Sequence, residues 1–500
     1  MTPNLFALSR RRWMQLAAAT PLGLSACSNR DTSSQKVEVH PLTAASGVPL
    51  GSRPKTVPAH LPDRLSICYY GWDWITAALP DEAFGDLERA LIQTKERGYN
   101  CVRPEMGLNW MFDREGKRRG KIQFGHWIDG ASFNLHCVDA KGGGEHDVYE
   151  RVMRLFELAD KHDMYVIMTN WEYQDAVAFT ADPKVRDQII GIPYNDRLLQ
   201  FAKHYDRLIA ALKERGLHKR IASVEIINEL NVPPFMCAEE GVPPQTFAQW
   251  AKLEVPGKRC TKLEVRALAE KAVAYVRERH PDLLVTIDGL VPSVGYDALF
   301  PPNAQIADHH IYSDGVVQAF WKEAGIGGLA PAKPEDMKAN DFFWSMMHDH
   351  SIAFTEIVKN GGHVRATWHP IAWLYSNIDN AKFDKWCVEH YPQYREKIRE
   401  SLEKEFLLAA KFAKERGLPM VADEGFILYP PLHAKFVTTP EGREGEEFGV
   451  NAAIATGHWG IMISGYYRPN TPFWLDDSQA NWVRSVNSRI QQTKTHTMGA

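Results

Sequence analysis

The sequence has little net charge, a single short apolar run near its start, and no cysteine or histidine cluster at metal-binding spacing. Its 58 basic residues nearly balance 62 acidic ones, for a formal charge of −4. That balance gives no electrostatic footprint for nucleic acid or an anionic membrane surface. The apolar stretch Leu16–Ala26 is too short to span a bilayer as a stable anchor. No glycine-rich turn follows the first strand-like run, which disfavours an open doubly wound nucleotide-binding sheet. His309 and His310 are adjacent on one strand-like run and so face opposite sides, a poor chelate. No metal site is therefore expected. No internal repeat and no second-domain boundary are visible.

What is present begins with an address. Ser9-Arg10-Arg11-Arg12-Trp13-Met14 resembles a twin-arginine export signal, and Leu24-Ser25-Ala26-Cys27 resembles a bacterial lipobox. These resemblances imply a signal peptide over 1–27, lipidation of Cys27, and a periplasmic or cell-surface protein anchored to the bacterial membrane by lipid. Residues 28–60 are rich in Ser, Thr, Pro and Gly and read as a flexible linker. The fold is expected over 61–490, with a short tail at 491–500. Export permits disulfides among the remaining cysteines. Cys237 and Cys260 share one long loop and form the expected bridge. Cys68 and Cys101 sit in strand-like runs and are expected to be buried free thiols.

The body of the chain, in a composition of 44% apolar and 24% charged residues, alternates strand and helix. Strands are expected at Arg64–Tyr70, Asn100–Pro104, Met164–Thr169, the run containing Val224-Glu225-Ile226-Ile227, Leu283–Ile287, Gln305–His310, Pro419–Ala422 and Gly460–Ser464. Helices are expected at Asp81–Arg97, Val148–His162, Leu198–Arg215, Lys262–Arg279, Tyr394–Arg416 and Val450–Thr456. Eight such units imply an α/β fold, a (β/α)8 TIM barrel with long βα-loop insertions. The longest insertion, 313–393, carries many of the 15 tryptophans. It reads as a folded lid or cleft wall, or as a small subdomain whose aromatics form its own core. The basic run Arg114–Lys121 reads as a solvated turn.

The chemistry gathers at strand tips. Ser223–Asn231 is a buried strand that ends in Asn228-Glu229 before a Pro-Pro stop, and a buried strand has no use for an amide and a carboxylate at its tip unless something meets them there. Glu424 follows the seventh strand, Arg103 ends the second, and His310-Ile311-Tyr312 ends the sixth with both polar side chains on one face. Taken singly, each has a plainer reading: a surface carboxylate, an arginine paired with Glu105, a core histidine.

In strand order, these residues resemble the clan A retaining glycoside hydrolases, and glycoside hydrolase family 5 in particular. The resemblance implies Glu229 as acid/base and Glu424 as nucleophile, acting on a carbohydrate substrate without a cofactor. It further implies that Arg103 keeps Glu424 ionised, Asn228 holds the sugar 2-hydroxyl, Tyr312 orients Glu424, and His310 contacts substrate or Glu229. Trp171, Glu172, Trp74, Tyr467 and Trp459 complete the expected substrate-binding set. The sequence departs from the family after strand three, where Asn170-Trp171-Glu172 stands, and after strand eight, where Tyr466 or Tyr467 stands in place of a tryptophan floor. Two other readings exist: a surface glycan-binding protein on a barrel without catalysis, and a hydrolase using Asp308, His309 and Glu172 around a metal.

Overall fold

The computed structural model describes residues 56–126, 140–171, 179–230, 262–289, 299–313, 315–325, 340–348, 378–427, 430–431 and 433–492. Cys27, Glu172, Cys237 and Cys260 lie outside them, as does most of the insertion 313–393.

Ten strands are present among the described residues: β1 (Leu65–Tyr70), β2 (Cys101–Pro104), β3 (Lys121–His126), β4 (Gly142–Asp147), β5 (Tyr165–Met168), β6 (Ile221–Glu225), β7 (Val285–Thr286), β8 (Ala307–Tyr312), β9 (Met420–Phe426) and β10 (Gly460–Met462). β3 and β4 form a separate antiparallel hairpin. The other eight make a parallel sheet in the order β7-β6-β5-β2-β1-β10-β9-β8. The two ends of that order meet: Gln305 N donates to Val285 O (3.0 Å) and His310 N to Gly289 O (3.3 Å). The sheet thus closes into a (β/α)8 barrel. Every residue of β1, β6 and β9 is buried, as expected for parallel strands covered by helices outside and side chains inside.

The covering helices start and stop where local chemistry says they should. α1 (Leu87–Glu96) is capped by Asp86, whose side chain accepts from Arg89 N. α2 (Val148–Lys161) is capped by Asp147, and α3 (Tyr194–Glu214) and α4 (Lys262–Arg279) follow β5 and β6. α5 (Asn380–Arg416) begins under an Asp379 cap and ends at Gly417, whose φ of 66° suits glycine. α6 (Pro440–Thr456) is capped by Thr439 with proline in its first turn, and α7 (Asp477–Gln492) closes the described chain.

Three expectations need correcting. The first helix starts at Leu87 rather than Asp81, because Asp86 offers the better cap. The helix expected at Tyr394–Arg416 starts at Asn380, inside the insertion, and the one expected at Val450–Thr456 starts at Pro440. In the described part of the insertion, Phe320 sits 4.8–5.5 Å, centroid to centroid, from Trp321, Phe342, Phe383 and Trp386. These aromatics form a core against α5. Cys68, Cys101 and Cys387 are buried free thiols.

Candidate active site

Arg103 at the end of β2 is fully buried in the barrel mouth and faces four carboxylates. Its Nη1 donates to Glu424 Oε1 (3.0 Å), its Nη2 to Glu225 Oε2 (2.9 Å) and Asp288 Oδ2 (2.8 Å), and its Nε lies 2.5 Å from Asp423 Oδ2. Nη2 also donates to Asn228 Oδ1 at 2.6 Å, and the Trp171 ring covers the guanidinium at 4.4 Å. Burial alone would weaken the cation, but Asp423, Glu225, Asp288 and Glu424 outweigh it and hold Arg103 firmly protonated. The expected alternative partner, Glu105, instead accepts from the backbone N–H groups of Gly107 and Trp171, and burial pushes its carboxyl up to about 8.

Glu424 is fixed from both sides, since Tyr312 Oη donates to its second oxygen at 2.8 Å. A slip in pairing makes this arrangement possible. β8 and β9 run in register through His309 opposite Ala422, then resume at His310 opposite Glu424, leaving Asp423 as an extra residue. Strict alternation would send Asp423 and Glu424 to opposite faces. The bulge lets both point inward. The end of β9 is held from outside by α6: Gly449 lies against the Phe426 ring, and the buried Glu446 accepts from Phe426 N at 3.2 Å.

Glu229 follows β6 with φ of 49°, a left-handed conformation that costs a non-glycine residue about 1–2 kcal/mol. Its side chain is 16% exposed, and its Oε1 lies 2.9 Å from His310 Nδ1. His310 Nδ1 is also 3.4 Å from Glu424 Oε2, and its Nε2 contacts Asp288 Oδ2 and lies 3.5 Å from Asp423 Oδ1. One atom each of Glu229, His310 and Glu424 all lie within 4.8 Å of one another. Nearest oxygens under 4.8 Å apart fall well short of the roughly 6.5–9.5 Å that inverting glycosidases use, and lie on the side of the roughly 5–5.5 Å of retaining ones.

A second layer lies beneath. Glu225, Asp308 and Asp423 bring carboxylate oxygens within 4.8 Å of one another. Burial, with Asp423 adding to it, pushes Glu225 and Asp308 well above the carboxylate range. For Asp423 burial works the same way, but Arg103 and His310 prevail and hold it ionised. Asp288 is pushed up to about 6 by burial, against the pull of His310 and Arg103. The second and third cluster, Asp288-His310-Asp423 and Glu225-Asp308-Asp423, also have metal-compatible spacing. The Asp308-His309 ligand pair of the alternative metal reading does not form. Asp308 faces the barrel interior, while His309 packs edge-on against Phe412 of α5 at 5.8 Å and burial lowers it to about 3.

The structure brings together Arg103, Asn228, Glu229, His310, Tyr312, Glu424 and Trp171. It sets Trp74, Tyr467 and Trp459 apart. Trp74 is fully buried and donates its indole N–H to Glu105 O (2.8 Å). Tyr467 is buried with its hydroxyl on Val437 O (2.7 Å), and Tyr466 reaches Ile427 O. Trp459 precedes β10 at the opposite end of the barrel, with its indole on Pro62 O (3.0 Å). Each is a packing residue whose polar atom is spent on the backbone. Glu225, Asp288 and the inward role of Asp423 escaped the sequence reading. Asp288 carried the same signal as Glu229, a carboxylate at the tip of an apolar strand.

A closed (β/α)8 barrel with paired carboxylates at its C-terminal mouth defines the class of architecture, and solved structures agree on the fold. The chain superposes on a provisionally assigned glycoside hydrolase from Parabacteroides distasonis with a TM-score of 0.55 and 16% identity, covering 86% of this chain and 94% of that one. It is more loosely similar to a glycoside hydrolase family 5 mannosidase from Rhizomucor miehei (TM-score 0.43, 12% identity, 86% and 94% covered). The endo-1,4-β-D-mannanase of Thermotoga petrophila gives 0.41, with 11% identity and 85% and 99% covered. At these identities the likeness is one of fold, and the two looser matches add nothing to it. No family profile matches the sequence, and no curated protein is significantly similar to it.

Proposed function

We propose that the protein is a retaining β-glycosidase acting on an oligosaccharide or polysaccharide. One observation carries this reading: carboxylate oxygens of Glu229 and Glu424 lie within 4.8 Å, around a shared histidine, with Glu424 gripped by Arg103 and Tyr312. Glu424, ionised, attacks the anomeric carbon. The glycosidic C–O bond breaks, its electron pair goes to the leaving oxygen, and that oxygen takes the proton of Glu229. A glycosyl ester on Glu424 results. Water then attacks the same carbon, Glu229 takes a proton from it, and the ester C–O bond breaks to restore the Glu424 carboxylate. Asn228, next to Glu229 in the chain and bonded by Arg103, would hold the sugar 2-hydroxyl. The motifs in residues 9–27 support the further reading that the enzyme is exported and tethered to the membrane through Cys27.

The test is hydrolysis of a panel of aryl β-glycosides and plant, algal and microbial polysaccharides, with product anomers followed by NMR. Wild type should release product with retained configuration, and Glu229→Ala and Glu424→Ala should both lose it. Inversion of configuration, or full activity in Glu424→Ala, would overturn the assignment.

A further inference from the structure

The imidazole of His310 separates two carboxylates that have different surroundings. On its Nδ1 side stands Glu229, partly open to solvent at the mouth. On its Nε2 side stands Asp288, fully buried and bonded to Arg103. Its neighbours favour the protonated ring, and an imidazolium offers an N–H on each nitrogen, so the two carboxylates are coupled through it. Asp288 Oδ2 is in close contact with Nε2, while Nδ1 lies 2.9 Å from Glu229 Oε1, so the charge on Asp288 acts on Glu229 through the ring.

Among the described residues, every charged or titratable group that faces this ring belongs to a strand end. Glu229 follows β6, Asp288 follows β7, and Asp423 and Glu424 lie on β9. Arg103 on β2 ties Asp288, Asp423 and Glu424 together, and Tyr312 on β8 bonds Glu424. Asp308 and Glu225 lie one layer deeper, against Asp423. Of the anions touching the ring, Asp288 alone meets Nε2 as its closest contact and has no role in bond making at the anomeric carbon.

We propose that Asp288 is a positioning residue for the acid/base: by its contact with Nε2 it fixes the His310 ring against Glu229, and its charge sets the pH range over which Glu229 delivers its proton. This rests on the glycosidase reading of the site. Burial pushes Asp288 up to about 6 and its neighbours hold His310 well above the ordinary imidazole range, so at neutral pH Asp288 is the anion beside a protonated ring.

Leaving-group chemistry tests it. A 2,4-dinitrophenyl glycoside needs almost no protonation to depart, whereas a phenyl glycoside does. Wild type, Asp288→Asn, Asp288→Glu and Glu229→Ala would be assayed on both glycosides of the sugar best hydrolysed in the panel above. Because both rates come from the same preparation, their ratio does not depend on the folded fraction. Asp288→Asn should lose at least tenfold more on the phenyl than on the dinitrophenyl substrate. It should also move the basic limb of the phenyl pH profile toward acid by about one unit, because a negative charge near Glu229 has gone. Asp288→Glu, which keeps the charge, should return both readouts toward wild type. Equal losses on the two substrates with an unmoved profile would overturn the proposal alone. An inactive wild type, or a Glu229→Ala variant that keeps the phenyl substrate, would overturn the glycosidase reading and the proposal with it.

Discussion

Arg103→Met removes the one cation that all four neighbouring carboxylates share while keeping a side chain of similar length. Glu225, Asp288, Asp423 and Glu424 would then face one another with only His310 as a counter-charge. Removing one partner of a buried ion pair typically costs about 3–5 kcal/mol, so a large loss of stability at neutral pH is expected. The pH dependence is the sharper signature. Without Arg103, burial raises the folded-state pKa of at least one more carboxyl above its unfolded value, and the folded variant then binds a proton that the unfolded chain has released. Stability falls as pH rises through that window, by about 1.4 kcal/mol per pH unit for each such carboxyl. For one carboxyl the difference between variant and wild type grows by up to about 4 kcal/mol from pH 5 to pH 8. Calorimetric melting of both proteins at half-unit steps over that range reads it directly, and taking the difference cancels groups that titrate alike in both. A gap that stays constant across the range would refute the idea that Arg103 offsets the burial of these carboxylates.

Tyr312→Phe removes a 2.8 Å hydrogen bond to a carboxylate, worth about 1.5–3 kcal/mol, so kcat should fall about 10- to 150-fold with little change in melting temperature. Gly449→Ala would bring a Cβ to 2.2 Å from the Phe426 ring. The overpacking, about 1–3 kcal/mol, should outweigh the roughly 1 kcal/mol gained in helix propensity, seen as a lower melting temperature, and should disturb Glu424 through β9. Although three clusters at the site have metal-compatible spacing, activity should survive exhaustive chelation, with elemental analysis showing less than one equivalent of any divalent ion. Cys27→Ser should move the protein from membrane to soluble fractions, and replacing Arg10 and Arg11 together by Lys should hold it in the cytoplasm. Fractionation and immunoblotting would check both.

The barrel was legible because its parallel strands are apolar on both faces and its helices are amphipathic, so each announced its period. Four of the strand tips also carried, between them, six polar residues with no structural reason to be there. What stayed hidden depends on contacts between distant segments. The hairpin β3–β4 contains Gly142-Gly143-Gly144, which no strand propensity favours. The start of α5 lies inside a segment that reads as an insertion. Trp74, Trp459 and Tyr467 look like sugar platforms in a sequence, and only the backbone carbonyls that accept from them show that they are wall and floor of the core.

The bulge at Asp423 is the most instructive case. Period-two reasoning admits either Asp423 or Glu424 to the barrel interior, and it cannot admit both. The register slip between His309 and His310 resolves the choice by adding a residue to β9, so that Asp423 faces Arg103 and His310 while Glu424 faces Tyr312 and the open mouth. One irregular pairing thus gives the site two carboxylates with separate duties. The deeper one is kept ionised by Arg103 and His310 and braces both. The outer one, though buried, keeps 8% of its side chain exposed against none for Asp423, on the side of the mouth where a sugar carbon would reach it.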